Sequence, residues 1–226
     1  LIIDTMNISK IKAFTDLSII VDVFIQNKRY DEAIEILNKM YTKSKTRRVV
    51  FQLIQVSIKN KDIQLAKKYY REYNQIAPAD PARFIFQYLI SKLEGKAITE
   101  QILHLEELKK YEYIEQWAYE LATLYHKAGM KDNCIQECND IILWFGTGSY
   151  VKRAELLKGH YEGKIDLLNM LKEKEEKEEV AEEQIEVDQT RETKEEQEMD
   201  PIEEYFFGRN IDYKKIFGDF LNNNNI

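Results

Sequence analysis

The fold is decided by residues 115–144, which read EQWAYELATLYHKAGMKDNCIQECNDIILW. Apolar and small side chains recur on either side of a glycine in this stretch: Leu121, Ala122 and Tyr125 precede Gly129, and Cys134, Cys138 and Ile141 follow it. Spacings of three or four residues place each set on one face of a helix. A glycine between two such sets predicts a turn, so we expect a helical hairpin.

Earlier in the chain, small residues hold the place that Cys134 holds in this hairpin. They are Ala33 and Ala66, and the intervals from Ala33 to Ala66, on to Glu100 and on to Cys134 are 33, 34 and 34 residues. Glu100 therefore interrupts the pattern. A period of this size predicts a stack of helical hairpins, in which each hairpin buries its apolar face against its neighbours.

Three further hairpins are predicted upstream of residue 115. The first covers residues 15–43, the second covers residues 47–77, and the third, which is degenerate, covers residues 81–112 with Gly95 at its turn. Residues 149–170 predict a closing helix. We therefore expect an all-α domain over residues 1–170.

This pattern resembles the tetratricopeptide repeat (TPR), in which large and small residues on two helices flank a turn glycine. The match is best at Leu121-Ala122-x2-Tyr125-x3-Gly129, and second halves of repeats match at Tyr30-x2-Ala33-x3-Leu37 and at Ala66-x3-Tyr70 with Pro78. The chain departs from the pattern at five positions. Val21 and Ile54 replace a small residue of the first helix, Lys28 and Lys61 replace the turn glycine, and Glu100 replaces alanine. Over residues 14–145, the resemblance implies a right-handed α-solenoid of about four helix-turn-helix repeats.

The composition disfavours several other classes of protein. Only 8 Gly and 3 Pro occur among 226 residues, which disfavours a turn-rich β fold. The net charge of −7 is concentrated in one acidic stretch, which argues against a nucleic-acid binder. No apolar run is long enough to predict a membrane span. Two cysteines four residues apart on one helix do not form a disulfide, which favours a reducing, cytoplasmic compartment and leaves a lost N-terminal anchor or signal open.

The sequence contains no motif that predicts catalysis. A phosphate-binding loop, a His-Glu-x-x-His zinc site and a nucleophile elbow are all missing, so we expect neither enzymatic activity nor a cofactor. His126, Cys134 and Cys138 are candidate metal ligands, but small apolar cysteines are typical core residues and we expect no metal. Trp117 and Trp144 are likewise predicted to be packing residues.

The TPR resemblance implies that the first helices of the hairpins line a concave groove that binds a partner. Carried over by register, the groove residues are Arg48, Phe51, Gln55, Lys59, Ile85, Leu89, Lys92, Tyr119, Thr123, His126 and Lys127, with Asp22 on the first helix. Lysines beside apolar residues favour a peptide or helix of another protein that bears acidic and aromatic residues. The alternative is that Phe51, Ile85 and Leu89 pack against neighbouring repeats.

The C-terminal part of the chain differs from the repeats. Residues 171–200 contain 14 acidic and 5 basic residues and are predicted to be an acidic low-complexity linker. Residues 201–226 are an aromatic-rich segment with the motif residues Tyr205, Phe206, Phe207, Phe217 and Phe220, and with a short amphipathic helix that places Tyr213, Ile216, Phe217, Phe220 and Leu221 on one side. This tail either docks on its own repeat domain, in the groove or as a cap on the last repeat, or is a motif for another protein.

Together, these patterns predict a protein–protein interaction scaffold or adaptor that binds a peptide or helix segment in its groove. The alternative function is a peptide- or partner-sensing regulator that is autoinhibited by its own acidic and aromatic tail. Removing the tail separates the two functions, because only the regulator would then bind its partner more tightly.

Overall fold

The structure, a computed structural model, describes Ile11 and residues 13–164. The regular structure of these residues is entirely helical, in the order α1 (Phe14–Gln26), α2 (Tyr30–Lys43), α3 (Arg47–Lys59), α4 (Ile63–Ile76), α5 (Ala82–Leu93), α6 (Ile98–Tyr111), α7 (Glu115–Lys127), α8 (Lys131–Phe145) and α9 (Ser149–Tyr161). The prediction of an all-α chain is confirmed for this part. The predicted linker and tail lie outside it. The described residues form two compact units, one that runs up to Leu108 and one that begins at Lys109.

Helices that follow one another in sequence pack together from α1 to α5 and from α7 to α9. In the first unit the close pairs are α1 with α2, α2 with α3, α3 with α4 and α4 with α5, and α3 also contacts α5. In the second unit α7 packs on α8, and α9 packs on both. Contacts limited to near neighbours along the chain are those of a helical repeat array.

The same turn ends five helices at a regular interval. The turn residues have φ values between 57° and 72° and are Lys28, Lys61, Gly95, Gly129 and Gly163, at intervals of 33, 34, 34 and 34 residues. In the turn at Gly129, its amide donates to the His126 carbonyl at 3.0 Å and the Met130 amide donates to the Tyr125 carbonyl at 2.9 Å. The other four turns repeat both bonds. This arrangement is the Schellman motif, which closes the C-terminus of a helix.

Lys28 and Lys61 hold the place that glycine holds in the later turns. A residue with a side chain adopts this left-handed conformation at a cost of about 1 kcal/mol relative to glycine. The packing of the hairpins therefore imposes the backbone of the turn even where the sequence lacks glycine. These two departures from the repeat pattern lower the stability of the turns and leave their geometry unchanged.

The small residues that follow the turns are buried. Ala33, Ala66 and Cys134 each lie five residues after a turn residue, and all three are inaccessible to solvent. Side chains of this size let the second helix of a hairpin approach its neighbours closely, since protein interiors are packed without voids. The structure thus gives the physical reason for the period in the sequence.

The second helix of the third hairpin, α6, departs from this arrangement by one residue. Glu100, at the small-residue position, is half-exposed and pairs with Lys96. The buried side chains of α6 are Gln101, Ile102, Leu105 and Leu108. A buried face that begins one residue later corresponds to a rotation of about 100° around the helix axis. This rotation keeps the Glu100 carboxylate in water, where its charge is not penalised.

Candidate protein-binding surfaces

The predicted groove residues lie on α3 and α5 in the first unit and on α7 in the second. The structure divides them by burial: Arg48, Lys92 and Lys127 are exposed; Phe51, Lys59, Tyr119, Thr123 and His126 are half-buried; Gln55, Ile85 and Leu89 are buried. The set that the repeat register selects is therefore only partly on the surface.

Phe51 extends from α3 towards α4 and α5. Its ring centroid lies 5.9 Å from that of Tyr73 and 4.9 Å from that of Phe86, in tilted and edge-on geometries that aromatic pairs favour. Ile85 and Leu89 on α5 belong to the buried core. For Ile85 and Leu89 the structure shows the packing role that the sequence left as an alternative, whereas Phe51 packs on its neighbours and stays partly exposed.

The groove residues of α7 are also in contact with other side chains. The Tyr119 ring lies 5.7 Å from that of Tyr150 on α9. His126 Nδ1 lies 2.6 Å from the hydroxyl of Tyr161, at the end of α9. The Thr123 hydroxyl donates to the backbone carbonyl of Tyr119 at 3.0 Å. Tyr119 and His126 therefore join α7 to α9, as Phe51 joins α3 to α5 in the first unit.

Asp22 is the acidic member of the predicted groove and joins α1 to α3. Gln52 Nε2 donates to Asp22 Oδ1 at 3.3 Å. Burial raises the pKa of Asp22 to about 6, against the opposing effects of the Arg48 charge and of this hydrogen bond. Gln52 is 7% exposed, and its Oε1 has no hydrogen-bond partner among the described residues. The contact is polar, and the Asp22 carboxyl group changes its charge near pH 6.

Sequence reasoning missed an exposed apolar surface at the C-terminal end of α8. Trp117 is 2% exposed, as the packing prediction requires, but Trp144 is 73% exposed and Leu143 is 81% exposed. Trp144 therefore packs outside the interior, where its ring contacts Tyr113. Both residues lie beyond Ile141, the last buried residue of α8. A helix end just before Gly146 has few neighbours to pack against, and this break in the sequence was the available signal.

Tyr113, in the segment before α7, supports Trp144. The two rings meet edge-on with centroids 6.1 Å apart, and the Tyr113 ring stacks on Phe145 at 5.4 Å. The Tyr113 hydroxyl donates to Glu137 Oε1 at 3.0 Å. We refer to Tyr113, Leu143 and Trp144 as the Trp144 patch.

An ion cluster adjoins this patch. Glu137 is 4% exposed, and burial raises its pKa, against the opposing effects of Lys109 and Tyr113. Lys109 Nζ lies 2.7 Å from Glu137 Oε2 and 2.9 Å from Asp140 Oδ2, and 4.9 Å from the centroid of the Tyr113 ring. Two carboxylates and one ammonium give the cluster a net charge of about −1 when all three are ionised.

Residues 13–164 contain no group of three or more His, Cys, Asp or Glu side chains that could hold a metal ion. Cys134 and Cys138 are buried free thiols, and His126 contacts Tyr161. In the same part of the chain, no helix combines the length and the apolar character that crossing a bilayer requires.

Compared with models of known protein families and with curated proteins, the chain matches none. The tail motif residues Tyr205, Phe206, Phe207, Phe217 and Phe220 lie outside the described residues. Two candidate surfaces lie within the described residues. One is the Trp144 patch, and the other, which we call the first-helix face, is formed by the exposed groove residues Arg48, Lys92 and Lys127.

Proposed function

We propose that the chain is a protein–protein interaction scaffold built on a right-handed solenoid of TPR-like hairpins. The five Schellman turns at intervals of 33 or 34 residues support the repeat. Hairpin arrays of this kind present helix faces over an extended surface on which another chain binds. Binding, rather than catalysis, is the role that suits this architecture.

The binding face lies on the first helices of the hairpins. One observation carries this assignment: the predicted groove residues that remain exposed, Arg48, Lys92 and Lys127, are all cations. Cations on a binding surface orient an acidic partner and accelerate its association. Aromatic side chains of the partner would pack beside the half-buried rings of Phe51 and Tyr119 and supply most of the affinity. The proposed partner is a peptide or helix segment with acidic and aromatic residues.

Charge reversal on the first helices tests this proposal. The full-length chain and its Arg48→Glu/Lys92→Glu variant are each expressed in cells, cross-linked, and recovered with their bound proteins. We expect the variant to recover at least about tenfold less of each specific partner than the wild type does. A tenfold loss of affinity corresponds to about 1.4 kcal/mol of binding free energy. Lys127→Glu is expected to weaken the binding of any partner that contacts the second unit.

The matched control is Lys39→Glu/Lys43→Glu. It makes the same change in net charge as the test variant, but on α2, the second helix of the first hairpin. Both lysines are exposed, so this variant is expected to keep the partners of the wild type. Circular dichroism at 222 nm confirms that each variant is folded. Equal recovery of partners by all the proteins would show that the first-helix cations do not bind the partner.

A further inference from the structure

The Trp144 patch offers apolar side chains to solvent in one place. Leu143 and Trp144 are the two most exposed large apolar residues in the described part of the chain. Tryptophan contributes more than almost any other residue to interfaces, and clustered exposed apolar side chains mark binding surfaces. Tyr113 holds the Trp144 ring edge-on, so the patch is organised before anything binds to it.

We propose that residues 213–221 of the same chain dock on the Trp144 patch. The apolar side chains of this segment are spaced as on one side of a helix, and they are Tyr213, Ile216, Phe217, Phe220 and Leu221. An amphipathic stripe of this kind binds apolar surfaces of a partner through residues three and four apart. This proposal is independent of the partner proposed for the first-helix face.

The charges of the segment and of the patch are complementary. Residues 213–221 contain Lys214, Lys215 and Asp219, so the segment has a net charge of about +1. The patch adjoins the Lys109, Glu137 and Asp140 cluster, whose net charge is about −1 when all three groups are ionised. It also lies at the C-terminus of α8, where the last carbonyls carry a partial negative charge. Both features favour lysines near the patch.

The same charges argue against the other aromatic part of the tail. Phe206 and Phe207 follow Glu203 and Glu204, and carboxylates are disfavoured at the C-terminus of a helix. The two parts carry similar aromatic side chains, so charge distinguishes them. This difference supplies a matched control within one tail.

The chain is long enough to make this contact within one molecule. The described residues end at Lys164, in the same unit as the patch, and 48 residues separate Lys164 from Tyr213. Helix α9 contains 13 residues and is about 20 Å long; Trp144 lies five residues before its start and Lys164 lies three residues after its end. Forty-eight residues can span at most about 160 Å, which is ample for the segment to reach the patch, and tethering raises the effective concentration of the segment above that of a free chain.

Quenching of tryptophan fluorescence by acrylamide tests the docking in the full-length chain. The chain has two tryptophans, and Trp117 is 2% exposed, so the quenching reports Trp144. We expect Trp144 to be protected in the wild type. Phe217→Ser/Phe220→Ser is expected to raise the Stern–Volmer constant by at least about twofold, because the rings that cover Trp144 are removed. Phe206→Ser/Phe207→Ser is expected to leave the constant unchanged.

Three results would overturn the proposal. Equal, strong quenching in all three proteins would show that Trp144 is uncovered. If Phe206→Ser/Phe207→Ser, and not Phe217→Ser/Phe220→Ser, removed the protection of Trp144 from acrylamide, the contact would belong to the acidic part of the tail. Protection that disappears on about a hundredfold dilution would show that the segment comes from a second copy, because a tethered segment keeps its effective concentration. None of these results bears on the first-helix face.

Discussion

At the same place in their repeats, the third hairpin exposes a leucine and the fourth hairpin buries a glutamate. Leu103 and Glu137 are 34 residues apart, and each lies eight residues after the glycine at its turn. Leu103 is 58% exposed and Glu137 is 4% exposed. The hydropathy of the two side chains alone would predict the reverse.

Two local causes produce this inversion. In the third hairpin, the buried face of α6 begins one residue later than in α4, so Leu105 turns inward and Leu103 turns outward. In the fourth hairpin, Lys109 and Tyr113 satisfy the Glu137 carboxylate and make its burial possible. The comparison teaches that helix rotation and polar partners decide burial within a repeat, and that the identity of a single residue does not.

The largest expected effect comes from exchanging the small-residue positions of the two hairpins. Cys134→Glu places a carboxylate where no solvent reaches, and we expect a loss of more than about 3 kcal/mol in the free energy of unfolding, or no folded second unit. Glu100→Ala removes an exposed pair with Lys96 and is expected to change stability by less than about 0.5 kcal/mol.

Urea denaturation followed by circular dichroism measures both changes. Cys134→Ala is the control that separates the introduced charge from the loss of the thiol, and it is expected to remain folded. A tolerated Cys134→Glu would mean that α8 rotates as α6 does, and the difference between the hairpins would then be small.

The next effect concerns the cation that makes the buried glutamate possible. Lys109→Met leaves Glu137 with Tyr113 as a partner, and we expect the free energy of unfolding at pH 7 to fall by about 2 kcal/mol. The value lies below that of a fully buried pair because the Lys109 side chain is 36% exposed. Lys152→Met, at an exposed position of α9, is the control and is expected to have little effect.

The loss in Lys109→Met should depend on pH. Burial already holds the pKa of Glu137 above its ordinary value in the folded state, and removal of Lys109 raises it further. A raised folded-state pKa stabilises the protein below the unfolded pKa, and this contribution disappears as the pH rises through the folded pKa. Urea denaturation should therefore show a smaller loss at about pH 4 than at pH 7. An equal loss at both values would show that the Lys109 charge does not act on Glu137.

A smaller effect is expected at the turns, where the two hairpins agree. Gly95 and Gly129 both have positive φ, and a Cβ atom added to either would meet nothing within 4 Å. Alanine at either position should therefore cost only the backbone conformation, about 1 kcal/mol. Lys61→Gly should show the reverse, a gain of similar size. A cost that differs by more than about twofold between Gly95→Ala and Gly129→Ala would indicate that the two turns are not equivalent.

The sequence was sufficient to predict the hairpins because close packing of helices requires small residues. Ala33, Ala66 and Cys134 report this requirement directly. The buried face of α6 was predictable from the sequence, since Ile102, Leu105 and Leu108 recur three residues apart, and the structure confirms it. The burial of Glu137 was not predictable, because its partners are 24 and 28 residues away in the sequence.

The candidate sites were predictable to a smaller extent. The repeat register selects one side of each helix. On that side, Phe51 of α3 contacts α5 and Tyr119 of α7 contacts α9. Register alone does not distinguish a side chain that holds repeats together from one that meets a partner. Exposure makes this distinction, and it requires the packed structure. The exposure of Trp144 required it too, since most tryptophans with apolar neighbours in sequence are largely buried.

The smallest expected effect is at Leu103, and it tests the rotation of α6 most directly. At 58% exposure the side chain loses little contact with water on folding, so Leu103→Gln should change the free energy of unfolding by less than about 0.5 kcal/mol. Leu105→Gln, two residues further along the same helix, places an amide in the core and should cost about 3 kcal/mol. The two variants make the same chemical change with similar helix propensity, so only the face of α6 distinguishes them. If α6 instead had the rotation of α4, Leu103→Gln would be the costly variant, and urea denaturation of the pair would show it.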